Sequence, residues 1–124
     1  EVEVIDTDLV SEDGLHYHPE ISIYIHGEKQ EIPANVGLTK GHSPVHTHDE
    51  DGIIHQEFGG VVVEDDLAVG RFFDVWEKTF NSECIFDFCN GESGTVTMTV
   101  NGEDNLEFEN YVMGDGDKIE IRYE

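Results

Sequence analysis

The stretch "EISIYIHG" at residues 20–27 constrains the fold more than any other. Ile21, Ile23 and Ile25 take every second position, with Ser22, Tyr24 and His26 between them. Side chains two apart in an extended chain share a face, so this is a strand with one buried side. The same period returns in "GTVTMTV", where Val96, Met98 and Val100 alternate with threonines, and in "KIEIRY", with Ile119, Ile121 and Tyr123 in the stripe. Gly27-Glu28 reads as a tight turn into "KQEIP", and Pro33 closes that hairpin because proline donates no ladder bond. Asn101-Gly102 predicts a second hairpin. "IIHQEF" and "VVV" read as short strands, and an opening strand, "EVEVIDTDLV", is expected to turn Val2, Val4 and Leu9 or Val10 inward.

One segment changes period. In "DDLAVGRFFDVWEKTF", Val69, Phe72, Phe73, Trp76 and Phe80 follow helical spacing. This predicts a single amphipathic helix near 66–80, its start capped by Asp65 or Asp66. A chain of 124 residues has room for one domain. The expected fold is therefore one β-rich domain over 1–124. Its strands are mainly antiparallel, sandwich or β-grasp-like, with one helix packed on them. No apolar run reaches the roughly 18 residues of a membrane span, so no membrane insertion is expected.

Charge narrows the partners. The chain carries 29 acids against 6 Lys plus Arg, a formal net charge of −23. It repels nucleic acid and anionic lipid. A salt-adapted surface, cation attraction and simple drift of a cell-surface protein each account for the acidity. The chain starts at Glu1, which suggests a processed, exported protein. Cys84 and Cys89 are its only cysteines, and an even pair fits one disulfide in an oxidising, extracytoplasmic compartment, with two reduced thiols as the alternative.

The histidines carry the functional content. All seven lie between residues 16 and 55: His16, His18, His26, His42, His46, His48 and His55. Two H-x-H pairs, His16 with His18 and His46 with His48, can each turn two imidazoles to one side. With His55 they make a candidate metal site, and Asp49 is a candidate carboxylate ligand or an acceptor orienting a histidine. Imidazole nitrogens with a carboxylate suit copper(II), and zinc takes the same ligands tetrahedrally. A blue-copper site is excluded because no histidine follows Cys89, and Asp49-Glu50-Asp51 lacks the spacing of a calcium loop. His26 and His42 read as turn and loop residues. No nucleophile in a catalytic setting and no phosphate loop is present.

The order "LHYHPEISIYIHGE", "HTHDEDGIIHQEF" and "GDGDKIEIRYE" resembles a family of small prokaryotic proteins, often archaeal and many of them exported or membrane-tethered. The likeness runs from about residue 15 onward through H-x-H-P, H-T-H-D and G-I-I-H motifs. It implies His16, His18, His46, His48 and His55 as a shared set, and it implies no activity. Gly41 to Glu50 also partly resembles the first cupin motif, but the gap from His48 to Glu50 is short and the second motif is missing. The closing segment is similar to the end of a β-grasp domain.

Three functions follow as expectations. The first is an extracytoplasmic metal-binding protein, for copper with zinc as the alternative. The second is a self-assembling surface or filament subunit, in which strand 1–10 pairs with a neighbouring copy and metal bridges subunits or is incidental. The third is a small cupin-like metalloenzyme.

Overall fold

The computed structural model describes residues 8–124, and these hold twelve strands and one α-helix. In chain order they are β1 (Leu9–Ser11), β2 (Leu15–Tyr17), β3 (Glu20–Ile25), β4 (Glu28–Gln30), β5 (Val45–His46), β6 (His55–Phe58), β7 (Val62–Val63), α1 (Val69–Trp76), β8 (Cys84–Ile85), β9 (Phe88–Cys89), β10 (Val96–Val100), β11 (Glu103–Asp104) and β12 (Lys118–Tyr123). The expected β-rich domain with one amphipathic helix is what forms.

The main sheet has the order β11-β10-β12-β3-β4. Two antiparallel hairpins flank a central parallel pair, in which Ile119, Ile121 and Tyr123 lie opposite Ile21, Ile23 and Ile25. The helix sits in the connection between the two hairpins. This is the strand order of a β-grasp sheet. Its apolar stripe meets the helix through Val69, Phe72 and Phe73, and all nine side chains are buried. Each contributes about 1.5–3 kcal/mol on leaving water.

Both predicted hairpins exist. The first turns at His26-Gly27, one residue earlier than expected, with φ of 49° and 85°. Positive φ at both central residues is the type I′ geometry that matches strand twist, and Asn101-Gly102 repeats it at 54° and 89°. The helix is shorter than its hydrophobic period. Asp66 caps the preceding 3₁₀ turn, Glu64–Leu67, by accepting from the Val63 N–H, while α1 itself starts after the extended Ala68. Glu77 in the left-handed conformation ends it, with Lys78 N–H reaching back to the Phe73 carbonyl. Phe80 reaches the core from beyond the helix, bridged to Ile85.

A second antiparallel sheet, β2-β6-β5, stands beside the first. It is tied on by backbone hydrogen bonds from Ile21 N–H to the Gly52 carbonyl at 2.9 Å and from Ile54 N–H to the Pro19 carbonyl at 2.8 Å. A side chain at Gly52 would meet the Ile21 carbonyl at 2.6 Å, which accounts for the glycine of "GIIH". Cys84 and Cys89 are disulfide-bonded across the β8–β9 hairpin. Strand β1 pairs with β7 of the same chain, and Leu9 and Val10 are exposed there, not turned inward as expected. The rest of the proposed exchange strand, residues 1–7, lies outside the described residues. No helix is long and apolar enough to cross a membrane among the described residues.

Candidate metal centre

The second sheet gathers the histidines on one face. His46 lies directly opposite His55 on β5 and β6, and His16 opposite Glu57 on β2 and β6. Opposed residues of an antiparallel pair project to the same side, as do positions i and i+2. His16, His46, His55 and Glu57 therefore share a face, while Val45 and Gln56 between them turn into the core.

The H-T-H tripeptide has a mechanical basis. Thr47 points away from the two histidines and is fully buried. Its hydroxyl donates to the Pro33 carbonyl at 2.8 Å and accepts from the Val36 N–H at 3.0 Å. That staple presses the chain against the 33–37 loop. Gly37 packs so closely there that a Cβ would lie 3.1 Å from the Cβ of His46 and 2.5 Å from the Val45 carbonyl.

His46, His48, His55 and Glu57 each bring one ligand atom to within 4.8 Å of all the others. The rings touch: His46 stacks parallel to His55 with centroids 5.6 Å apart, and His48 meets His46 at 4.7 Å and His55 at 4.3 Å. His46 is wholly buried, and its Nδ1 lies 2.8 Å from the Ser43 carbonyl. A carbonyl only accepts, so Nδ1 carries the proton and donates it. In the neutral ring that leaves an unprotonated Nε2 lone pair facing the cluster. This is the arrangement by which a backbone carbonyl orients a metal-ligating histidine.

What Nε2 faces decides the chemistry. Glu57 Oε1 lies 3.4 Å away, too far and wrongly equipped for a hydrogen bond between two lone pairs. His55 Nδ1 faces the other carboxylate oxygen at 3.7 Å. Both nitrogens are buried and have no hydrogen-bond partner among the described residues. Leaving such groups unmatched costs roughly 1–3 kcal/mol each. One proton, as an imidazolium at His46, relieves only one of the two gaps. A divalent cation accepts from all four groups together. Burial lowers the pKa of His55 below the usual histidine value, and the neighbouring His48, His18 and His46 push it the same way against Glu57, so the ring favours its neutral, ligating form.

The expected residues separate as follows. His46, His48 and His55 converge. His18 stands at the margin, its ring 5.0 Å from that of His55, and His16 is exposed outside the four. Asp49 is also exposed and outside the four, because the chain turns away after His48; the carboxylate that joins the histidines is Glu57. The sequence held a signal for it, since "HQE" at 55–57 is a strand in which His55 and Glu57 must share a face. His42, read as a loop residue, meets His46 ring to ring at 4.8 Å, while His26 stays at its hairpin turn against Tyr123. No protein-family model, no curated protein sequence and no solved structure matches this chain.

Proposed function

We propose that this chain is a metal-binding protein of an oxidising, extracytoplasmic compartment. It holds one copper ion through His46, His48, His55 and Glu57. The observation that carries the reading is the pair of buried, partnerless nitrogens, His46 Nε2 and His55 Nδ1, set against the two oxygens of one carboxylate. Three imidazoles and a carboxylate bind copper(II) most tightly among the divalent first-row metals. The Cys84–Cys89 disulfide supports the oxidising compartment, and the motif order supports kinship with exported prokaryotic proteins.

Zinc is the second reading. The 3.4 Å edge between His46 Nε2 and Glu57 Oε1 is near the ~3.3 Å edge of a tetrahedron with bonds of about 2.0–2.1 Å. Titrating the metal-stripped chain with each ion, with elemental analysis, distinguishes the two. We expect one ion per chain. His48→Ala and Glu57→Gln each weaken binding at least tenfold with an unchanged far-ultraviolet circular dichroism spectrum, since neither side chain is in the core. Stoichiometric binding of equal strength in both variants overturns the site.

A further inference from the structure

Four donors complete a four-coordinate ion, yet imidazoles remain. His18 stands beside His55 with the two rings nearly perpendicular, and its side chain is 44% exposed, against 0% for His46. A hydrated cation does not reach buried nitrogens with its water shell intact; it sheds water stepwise, exchanging it for ligands along a path, and a metal site needs such a path. We propose that His18 is the transient ligand through which the ion passes between solvent and the buried nitrogens of His46 and His55. This rests on the metal reading above.

The way His18 is held fits that role. Its backbone N–H donates to Asp115 Oδ1 at 2.7 Å, so the root of the side chain is fixed by the turn before β12. Its ring Nδ1 lies 3.8 Å from the same oxygen, beyond hydrogen-bond reach. The imidazole is therefore tethered beside His55 but held by no ring hydrogen bond among the described residues, and can rotate between solvent and the cluster. Next to it, His48 is the exposed member of the four and meets the same His55 ring. His18, His48 and His55 thus form a graded series from exposed to half-buried, ending at the wholly buried His46.

A transient ligand has a distinctive signature. It lowers the barrier equally in both directions, so uptake and release accelerate together and the equilibrium constant is untouched. A resting ligand changes the equilibrium constant, and a bystander changes nothing. The experiment is stopped-flow uptake of copper(II) or zinc by the full chain and its release to excess EDTA, comparing wild type with His18→Ala. His26→Asn, a histidine change at a remote turn whose left-handed backbone asparagine tolerates, is the control. We expect His18→Ala to slow uptake and release alike by about tenfold with Kd within about twofold, and the control to match wild type. Unchanged rates in His18→Ala overturn the proposal and leave the metal site standing. A weaker Kd with faster release also overturns it, making His18 a resting ligand. A wild-type chain that takes up no ion sinks both.

Discussion

Asp117 shows how a single carboxylate organises the chain beside the site. Tyr111 donates its hydroxyl to Asp117 Oδ2 at 2.5 Å, Gly114 N–H donates to the same oxygen, and Asn101 Nδ2 donates to Oδ1. Burial raises the Asp117 pKa, but these three donors outweigh it and hold the carboxyl below its usual value. Tyr111 is the counterpart: burial, and then the bond to Asp117, push its hydroxyl up to about 12. The signs of the two effects on stability are opposite. A lowered carboxyl stabilises the fold above its unfolded pKa of about 3.9, and that contribution fades as pH falls through the folded value. A raised phenol stabilises the fold below about pH 10 and loses this as pH climbs from about 10 to about 12. Tyr111→Phe removes the bond, so the stability gap between wild type and variant, measured by urea unfolding, should be widest between about pH 5 and 9. It should narrow on both sides. A gap independent of pH shows that the two groups do not share this proton in the folded state.

The elements differ in how openly the sequence announced them. Strands β3, β10 and β12 were legible because each alternates cleanly and buries the stripe it advertised, save Val100 at the end of β10, which stays half-buried. Both hairpins were legible through glycine. The end of α1 was not: Glu77 adopts a left-handed conformation that propensity assigns to glycine, and Phe80 kept the helical period by coincidence after the helix had stopped. The parallel pairing of β3 with β12 was also hidden, since a period of two fixes the buried face and not the direction of the neighbour. At the site, His46 and His48 were legible from H-x-H spacing and His55 from its place on the following strand, while Asp49 drew attention away from Glu57 because a run of acids is more conspicuous than one acid on a strand. The cysteine pair was legible as a disulfide and makes its own prediction. It closes a short loop, Cys89 lying five positions after Cys84, so chain entropy assigns it about 2 kcal/mol. The β8–β9 hairpin contributes none of the four candidate ligands. Replacing both cysteines by serine should therefore lower the unfolding free energy by about 2 kcal/mol and leave metal affinity as it was. Affinity lost along with the disulfide shows that the hairpin supports the centre after all.

Charge belongs to the molecule as a whole. A net −23 on 124 residues surrounds the chain with a negative potential that no single contact explains. Two consequences have different salt dependence. Repulsion among the acids opposes the compact state, so stability should rise as salt shortens the Debye length from about 10 Å at 0.1 M to about 3 Å at 1 M. If the same field serves the histidine centre, it draws cations toward the exposed His18 and His48, and salt should weaken that attraction. Steering of this kind acts on association, raising it by about ten- to a thousandfold at low ionic strength, and leaves dissociation from the four-ligand set nearly unchanged. Raising sodium chloride from about 0.02 M to 0.5 M should therefore slow metal uptake by about tenfold or more while release stays constant. Potassium chloride should act alike, since screening depends on valence and not on the identity of the ion. Uptake that ignores salt while stability climbs with it assigns the acidity to life in concentrated salt and separates it from the metal centre.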